Sequence, residues 1–388
     1  PRRRLGRTYV EVVNNELNEC RGLLWAHGSL YANANNSKGL YRLRDTTGDD
    51  QFDEVTLLRK TGGGVGHGRN SIALGPDGFI YLTHGNDVLL PEGFKPTQAS
   101  PYRNYRRDQL LPCEWNRVMF NKGVEPPAGH VIRTDQDGER WDMIAGGFRN
   151  PYGLDFNPDG ELFVYDADME WDEGSPWYRP TRVNHVVSGG DYGWRQGTDK
   201  WQAYFPDSLP GNADLGLGSP TAIAFGTDSN FPEPYRHALF ILDWAYGKII
   251  AVHLMPEGAS YRGQAEEFVT GRPLNVTGVD FGPDGAMYFV TGGPSPGCTA
   301  SVTSAASHFR RLAKRQPARP SVRASCGGDS SSFKAVARSR VSAWLGNTSE
   351  TTTRGFATPP GWRSRTRHSS SGNSRRLQSR TLRRHFRR

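Results

Sequence analysis

The sequence predicts an all-β protein made of repeated four-stranded sheets, and three observations support this fold class. The 388 residues include 46 glycines and 26 prolines, together with 10 tryptophans and 15 tyrosines. This composition favours many short strands and turns over a helical bundle. One hairpin pattern recurs along the chain. Strand-like stretches separate its copies at a regular spacing, which is the sequence signature of a repeat architecture.

The repeated hairpin consists of two short apolar runs joined by a Pro-Asp-Gly turn, and three copies occupy residues 70–85, 150–166 and 276–292. Proline presets φ in the turn, aspartate stabilises the turn through its side chain, and glycine takes the position that needs a positive φ. Two related segments, 23–44 and 220–252, keep both strands but change the turn. The pattern therefore predicts five successive hairpins.

Further strands are predicted between the hairpins, at residues 39–44, 130–134, 182–187 and 248–254. Strand groups thus recur about every 50–75 residues, which is typical of a propeller whose four-stranded blades surround a central channel. A β-sandwich would not explain the recurring turn. Because a closed ring needs its first and last blades to meet, we expect the propeller to be incomplete in this chain, with at least one blade missing.

Charge is divided unevenly along the chain. Lys+Arg total 48 and Asp+Glu total 40, which gives a formal net charge of +8. Residues 294–388 hold 20 of the basic residues and 2 of the acidic ones, so 28 basic and 38 acidic residues remain in 1–293. The net charge of that larger part is −10. An acidic propeller is not expected to bind nucleic acid.

Residues 294–388 are rich in arginine and serine and show no strand periodicity. They predict a disordered basic tail after a propeller domain that spans residues 8–293. Two interpretations stay open for this tail. It is either an arm for nucleic acid or an anionic membrane, or the product of a shifted reading frame. The interruption of the last hairpin after its second strand favours the shifted frame.

Cysteine spacing argues against CxxC and haem-attachment motifs, and hydropathy argues against a membrane-spanning helix. The four cysteines, at positions 20, 113, 298 and 326, form neither a CxxC nor a CxxCH motif. Cys20 and Cys113 are compatible with a disulfide and equally with two buried thiols. No run of about 18 apolar residues predicts a membrane span. The chain starts at Pro1 without a visible signal peptide.

His67 is the main candidate for acid–base chemistry. It lies in a glycine-rich loop, residues 62–68, directly before the first Pro-Asp-Gly hairpin. A loop that enters the innermost strand of a blade lies at the mouth of the channel, and glycines let the backbone approach a ligand closely. A histidine there can act as general base near neutral pH. A histidine that is merely packed in a flexible loop is the alternative.

Arg149 and Asn150 occupy the corresponding place before the second hairpin, as part of the run from Gly146 to Gly153. Two different loops are thus predicted to deliver polar groups to one funnel. An arginine–asparagine pair suits a carboxylate or carbonyl oxygen, because the guanidinium fork matches planar acceptors. The alternative is a salt bridge between blades.

Acidic runs provide candidate calcium ligands. Asp166 and Asp168 follow the strand that ends the second Pro-Asp-Gly hairpin, and carboxylate oxygens are the ligands that Ca²⁺ prefers. The acidic stretch 45–54 also alternates like a calcium loop. It has Thr56 where such a loop carries its final glutamate, so an aspartate-stabilised turn explains it better. Residues 135–138 are interpreted in the same way.

Two motifs in the same order resemble the soluble quinoprotein glucose dehydrogenase and sorbosone dehydrogenase family. The first combines His67-Gly68-Arg69 with the following hairpin, residues 74–87, and the second is residues 148–154 followed by the Gly-Gly-Asp-Tyr-Gly-Trp string at 189–194. The resemblance covers residues 8–293. More narrowly, the chain resembles the membrane-bound dehydrogenase modules of planctomycete-type bacteria, which are often joined to a haem c domain.

The resemblance implies a six-bladed propeller that carries pyrroloquinoline quinone and Ca²⁺ over its central channel. His67 would deprotonate the hydroxyl of a sugar or alcohol, with Arg149 and Asn150 near the quinone and Asp166 and Asp168 near the calcium. A cofactor would supply the redox chemistry, and the protein would supply orientation and the base. A haem c domain or a cytochrome would accept the electrons, and the location would be outside the cytoplasm.

The chain departs from this family at the positions that anchor the quinone carboxylates. The family has a lysine in the fourth hairpin and two arginines before the last one, whereas this chain offers Trp244, Lys248 and Arg272 there. Arg69, Trp244 and Lys248 complete the predicted cofactor contacts. A non-catalytic propeller that binds carbohydrate or protein is the alternative function. A calcium-dependent lactonase-type hydrolase would need acids that converge on one metal, and the sequence predicts no such set.

Overall fold

The computed structural model describes residues 14–49, 51–91, 94–95, 97–103, 126–167, 179–194, 203–205, 208–292, 298–303 and 321–324. The chain divides into two units, Pro1–Arg340 and Val341–Arg388. Every described residue belongs to the first unit. Within these ranges, no helix has the length and apolar character that crossing a membrane requires.

Five four-stranded antiparallel sheets follow one another along the chain. Sheet 1 contains β1 (Cys20–Ala26), β2 (Ser29–Ala34), β3 (Gly39–Arg44) and β4 (Glu54–Lys60). The next strands in the chain are β5 (Gly62–Gly63), β6 (Arg69–Leu74), β7 (Ile80–His84), β8 (Val88–Leu89), β9 (Gly129–Thr134) and β10 (Trp141–Phe148). Of these, β6, β7, β9 and β10 form sheet 2 in that order, while β5 and β8 pair separately.

The remaining three sheets each use four consecutive strands. Sheet 3 contains β11 (Asn150–Phe156), β12 (Leu162–Ala167), β13 (Thr181–His185) and β14 (Ala213–Gly216). Sheet 4 contains β15 (Pro220–Phe225), β16 (Leu239–Asp243), β17 (Lys248–Glu257) and β18 (Ser260–Thr270), and the short helix α1 (Glu233–Arg236) lies between its first two strands. Sheet 5 contains β19 (Val276–Phe281), β20 (Met287–Thr291), β21 (Cys298–Thr303) and β22 (Ser321–Ala324).

Successive sheets pack face to face, which is the arrangement of blades in a β-propeller. The first strands β1, β6, β11, β15 and β19 lie beside one another in that order. Four buried apolar clusters fill the spaces between sheets 1 and 2, 2 and 3, 3 and 4, and 4 and 5. Leu82, Val164, Ile241 and Phe289 are fully buried members of these clusters.

The predicted hairpins are confirmed as the first two strands of their sheets. Their three Pro-Asp-Gly turns lie at equivalent positions in sheets 2, 3 and 5. The glycines at their ends, Gly78, Gly160 and Gly285, have φ values of 79°, 82° and 69°. These values lie in the left-handed region that favours glycine. Asp77 Oδ1 accepts the Phe79 amide at 3.2 Å in the first turn, as the motif predicts.

Sheet 5 extends beyond the point where the sequence predicts the tail to begin. Strands β21 and β22 lie inside residues 294–388 and continue the sheet from β20. Residues 298–303 in fact alternate small apolar and polar side chains, and this short strand pattern was overlooked inside a segment rich in arginine and serine. Most of the predicted tail lies outside the described residues. Cys113 lies outside the described residues as well. Cys20 carries a free thiol.

Candidate functional site

The loops that carry the candidate residues meet at one end of the sheets. In each sheet the start of the first strand pairs with the end of the second, as in Arg69 with His84 and Pro220 with Asp243. The first strands of neighbouring sheets also begin side by side, since Asn70 Nδ2 of sheet 2 donates to Pro151 O of sheet 3 at 3.1 Å. We call this end the mouth. It comprises residues 19–21, 61–70, 84–89, 149–151, 217–219, 243–247 and 274–275.

The loop that bears His67 is held by an additional pair of short strands that the sequence did not predict. Strand β5 pairs with β8, and this ladder continues where Gly64 N donates to Asp87 O at 2.8 Å and Asp87 N donates to His67 O at 3.2 Å. Gly63 has a φ of 83°, and a Cβ there would lie 2.0 Å from Asp87 O. Glycine is therefore required at this close approach.

His67 is half-buried, and its ring is oriented by the loop that follows β7. Its Nδ1 lies 2.6 Å from Asn86 Oδ1, and its backbone N–H donates to Asp87 Oδ2 at 2.9 Å. With the amide oxygen of Asn86 facing the ring, Nδ1 is the donor and the lone pair lies on Nε2. This is the tautomer that a proton acceptor at Nε2 requires.

Burial is the largest influence on His67 and lowers its pKa, and the positive charge of Arg149 lowers it further. The hydrogen bond to Asn86 and the negative charges of Asp87 and Asp166 act in the opposite direction. Because the net shift is downward, the imidazole is neutral at physiological pH. A neutral imidazole is able to accept a proton.

Arg149 and Asn150 lie beside His67, and Asp166 positions both of them. Arg149 is 6% exposed and Asp166 is fully buried. The backbone amides of Arg149 and Asn150 donate to the two carboxylate oxygens of Asp166 at 3.2 and 2.8 Å. Arg149 O in turn accepts the amide of Asn86 at 2.8 Å. The structure thus brings His67, Arg149, Asn150 and Asp166 together, while Asp168 lies outside the described residues.

Arg69 is fully buried beneath the loop of His67. Its guanidinium donates to Gly64 O at 3.0 Å and to Asn35 O at 3.3 Å, and it also contacts Gly62 O and Thr61 Oγ1. Burial and the nearby charge of Arg21 lower the pKa of Arg69 to about 10, so it is charged at neutral pH. These bonds support the loop from below. A contact between Arg69 and a cofactor stays a prediction.

Two polar side chains at the mouth were not identified in the sequence. Asn70 Nδ2 donates to Asn150 Oδ1 at 2.8 Å, and Arg21 Nη1 donates to Asn70 Oδ1 at 3.3 Å. The three residues form a chain of polar contacts across sheets 1, 2 and 3. Arg21 lies outside the glycine-flanked motifs, but it occupies the start of a first strand, as Asn70 and Asn150 do. Comparing those starts across the repeats would have found it.

Trp244 also lies at the mouth, whereas Lys248 does not join the His67 group. The backbone oxygen of Trp244 accepts Asn275 Nδ2 at 3.1 Å, and its side chain is 44% exposed. Lys248 begins the third strand of sheet 4, where its Nζ lies 2.5 Å from Glu267 Oε1. Its charge is therefore already matched by a carboxylate.

Aspartates at the mouth bind backbone amides. Asp243 is 2% exposed, and its Oδ1 accepts the amides of Ser219 at 2.9 Å and Ala245 at 3.0 Å. This is the role that Asp166 has in sheet 3. Within the described ranges, no group of three or more His, Cys, Asp or Glu residues is arranged to hold a metal ion.

Comparisons with known proteins support the fold. No family model matches the chain. Over 153 residues the chain is 28% identical to quinoprotein glucose dehydrogenase B of Acinetobacter calcoaceticus, a match that covers 36% of this chain and 28% of that protein. The chain thus spans little more than a quarter of the curated relative that it matches.

Solved structures provide two further comparisons. An oxidoreductase from Thermus thermophilus that carries the name glucose dehydrogenase gives a TM-score of 0.51 at 22% identity, covering 74% of this chain and 83% of that chain. The PQQ-bound form of aldose sugar dehydrogenase from Streptomyces coelicolor gives a TM-score of 0.44 at 14% identity, covering 73% and 91% of the two chains. The first comparison supports the all-β propeller architecture at the level of fold.

Proposed function

We propose that this protein is a quinoprotein-like dehydrogenase that oxidises a sugar or alcohol at the mouth, with His67 as general base. The observation that carries the proposal is the His67 ring itself. Asn86 Oδ1 lies 2.6 Å from its Nδ1, and both burial and the charge of Arg149 lower its pKa. A neutral, oriented and half-buried imidazole is suited to remove a hydroxyl proton. The curated relative named above is a quinoprotein glucose dehydrogenase, which adds support.

In this reaction His67 Nε2 takes the proton of a substrate hydroxyl as the O–H bond breaks. The hydrogen on the carbon that bears this hydroxyl leaves as a hydride with the electron pair of the C–H bond, so that a carbonyl forms. A bound quinone would supply the two-electron acceptor for that hydride. The bond to Asn86 and the negative charges of Asp87 and Asp166 offset part of the cost that burial and Arg149 impose on the imidazolium. Those contacts are in place before the proton arrives, so the site needs no reorganisation.

Arg149 and Asn150 are proposed to bind the acceptor oxygens beside His67. Their backbone is held by Asp166 at 3.2 and 2.8 Å, which keeps both side chains at the mouth. The guanidinium would favour an oxygen that gains negative charge as the hydride arrives. Arg149 also discourages protonation of His67 in the resting state.

The mouth offers suitable groups for the quinone oxygens of pyrroloquinoline quinone but, among the described residues, less suitable cations for its carboxylates. Arg149 and Asn150 offer donors for its quinone oxygens, and Trp244 offers an exposed aromatic face. The carboxylates of the group require cations, yet Lys248 pairs with Glu267 at 2.5 Å and Arg272 lies in the exposed loop before β19. Each missing charge-assisted contact costs about 1.5–3 kcal/mol. We therefore propose weak binding of this cofactor.

Calcium, the electron acceptor and the location belong to the same proposal. Both carboxylate oxygens of Asp166 accept backbone amides, so this residue would contribute to a Ca²⁺ site only through its remaining lone pairs. A haem c domain or cytochrome would accept electrons from the cofactor, outside the cytoplasm. The resemblance of the sequence to the quinoprotein family is the support for these points.

The experiment measures oxidation of aldoses with an artificial acceptor, using the full chain supplied with Ca²⁺ and pyrroloquinoline quinone. We expect activity in the natural protein and a loss of about 10²–10⁴-fold in His67→Ala, as is usual when a general base is removed. His237→Ala is the matched control, because His237 is an exposed histidine bonded to Glu233. Equal activity of His67→Ala and the control would overturn the role of His67.

A propeller that binds carbohydrate without oxidising it is the second candidate. The observation that favours it is the ion pair of Lys248 with Glu267, which leaves the sheet 4 side of the mouth without its predicted anchor. Titration calorimetry separates the two candidates. Binding of a sugar without binding of the quinone, and without acceptor reduction, supports the binding propeller and contradicts the dehydrogenase.

A further inference from the structure

Arg21 connects sheet 1 to the loop that carries His67. It belongs to β1, and its side chain is 17% exposed. The guanidinium donates from Nη2 to Val65 O at 3.0 Å and from Nη1 to Gly66 O at 3.1 Å. These two carbonyls are in the residues directly before His67. One side chain from the neighbouring sheet thus holds two consecutive peptide groups of the loop.

Glu19 and Asn35 hold the arginine in place. Glu19 Oε1 accepts Arg21 Nε at 2.8 Å and Nη2 at 2.6 Å, while Glu19 Oε2 accepts Asn35 Nδ2 at 3.0 Å. Asn35 Nδ2 also donates to Val65 O at 2.9 Å. The carboxylate therefore orients both donors that reach Val65. An arginine fork oriented in this way is preorganised for two acceptors, which a lysine ammonium is not.

The loop needs such support because of its composition. Residues 62–68 contain five glycines, and glycine loses more conformational freedom on ordering than any other residue. Arg69 holds Gly62 and Gly64 from below, but Val65 and Gly66 are bonded by Arg21 and Asn35. The end of the loop that leads directly into His67 is thus fixed from sheet 1.

We propose that Arg21 is a positioning residue, which sets the place of the His67 imidazole by holding the carbonyls of Val65 and Gly66. Its catalytic consequence rests on the function proposed above. The largest charge effects on the His67 pKa come from Arg149, Asp87 and Asp166, so the role proposed for Arg21 is geometric. A misplacement of a catalytic group by about 1 Å can lower a rate by about 10²-fold.

The first test is amide hydrogen exchange in the full-length protein, which needs no substrate. Arg21→Lys keeps the positive charge but removes the forked guanidinium. Glu19→Gln leaves Arg21 in place but weakens the contact that orients its guanidinium. We expect the amides of His67 and Asp87, which bond across the loop, to exchange at least about 10-fold faster in Arg21→Lys. Arg262→Lys is the matched control, because Arg262 is exposed and pairs loosely with Glu257 at 3.8 Å.

The second test is steady-state kinetics of sugar oxidation. In Arg21→Lys we expect kcat to fall about 10–100-fold with little change in KM, because the base is misplaced while the substrate contacts remain. In a His67→Ala background the same substitution should have no further effect, since two residues that act through one group are not additive.

The two tests separate the inference from the proposed function. Faster exchange at His67 without any sugar oxidation in the natural protein supports the positioning role and rejects the dehydrogenase. Unchanged exchange in both Arg21→Lys and Glu19→Gln, alongside normal folding by circular dichroism, overturns the inference. A fall in kcat that persists in the His67→Ala background also overturns it, because Arg21 would then act independently of His67.

Discussion

The two sides of the mouth differ in how their side chains are held. On the side formed by sheets 1, 2 and 3, polar residues bond to one another from sheet to sheet, as Arg21, Asn70 and Asn150 do. On the side formed by sheets 4 and 5, Trp244 and Tyr246 are 44% and 40% exposed. The repeat is the same on both sides, so the difference comes from the residues that each loop carries. The proposed acid–base chemistry belongs to the first side.

The first prediction concerns acid and contrasts two buried histidines of sheet 2 with a buried carboxyl between sheets 3 and 4. Beneath His67, the buried His84 and His130 share a hydrogen bond of 3.1 Å. Burial lowers the pKa of His130 to about 4 and holds that of His84 well below its usual value. Because the unfolded chain binds these protons near pH 6.5, sheet 2 loses stability as pH falls from 6.5 to 4. For His130 alone the loss is about 3 kcal/mol.

Asp155, between sheets 3 and 4, responds to acid in the opposite direction. Burial raises its pKa to about 6, and its Oδ2 accepts the Phe225 amide at 2.7 Å. The folded state holds this proton more tightly than the unfolded chain does, so lowering the pH from 6 favours the folded state here. Residue-resolved hydrogen exchange at pH 6.5 and 4.5 should show weaker protection at Leu82 and Val131 but not at Phe225. Equal losses at all three amides would contradict the assignment.

The second prediction compares the cations of the two sides. Arg149→Lys should lower sugar oxidation about 10-fold or more, which corresponds to the loss of one charge-assisted contact of about 1.5–3 kcal/mol. Lys248→Gln should leave the rate within about two-fold, because the ion pair with Glu267 is partly exposed and contributes little. Steady-state kinetics with an artificial acceptor measure the rates of both variants. A larger effect from Lys248→Gln would place the cofactor on sheet 4.

The third prediction uses the two equivalent carboxylates, Asp166 and Asp243. Each binds backbone amides at the end of a second strand, so Asp166→Asn and Asp243→Asn should each cost about 1 kcal/mol of stability in thermal unfolding. Of these two carboxylates, Asp166 is the one whose charge acts to raise the pKa of His67. An NMR titration should therefore show a lower His67 pKa in Asp166→Asn and no change in Asp243→Asn. A lower pKa in both variants would mean that the effect is conformational.

The fold was largely predictable because its signals are local. The Pro-Asp-Gly turns and the apolar runs on each side lie within about 16 residues of sequence, and each predicted hairpin is formed. The strands β21 and β22 were not predicted, because they are short and lie in a segment whose arginine- and serine-rich composition indicated a tail, although β21 pairs with β20 and β22 with β21. The number of blades in the complete ring stays a prediction.

The candidate site was predictable only in part. His67, Arg149 and Asn150 stand in glycine-flanked motifs before first strands, which a repeat comparison can find. Arg21 has no such motif, and its partners Val65 and Gly66 lie 44 and 45 residues away in the chain. Lys248 was expected at the cofactor from its place near the fourth hairpin. The structure pairs its Nζ with Glu267, and its contact with a cofactor stays a prediction.

The hairpins, their turns and the repeat follow from local sequence, since each depends on the conformational preferences of neighbouring residues. The polar groups that surround His67, by contrast, are set by how the sheets pack. The packing of sheets 1, 2 and 3 brings Arg21, Arg149 and Asp166 to one loop, although they are separated by up to 145 residues. Burial and charge at that point set the protonation of the imidazole, and both depend on distances between sheets that no local pattern encodes.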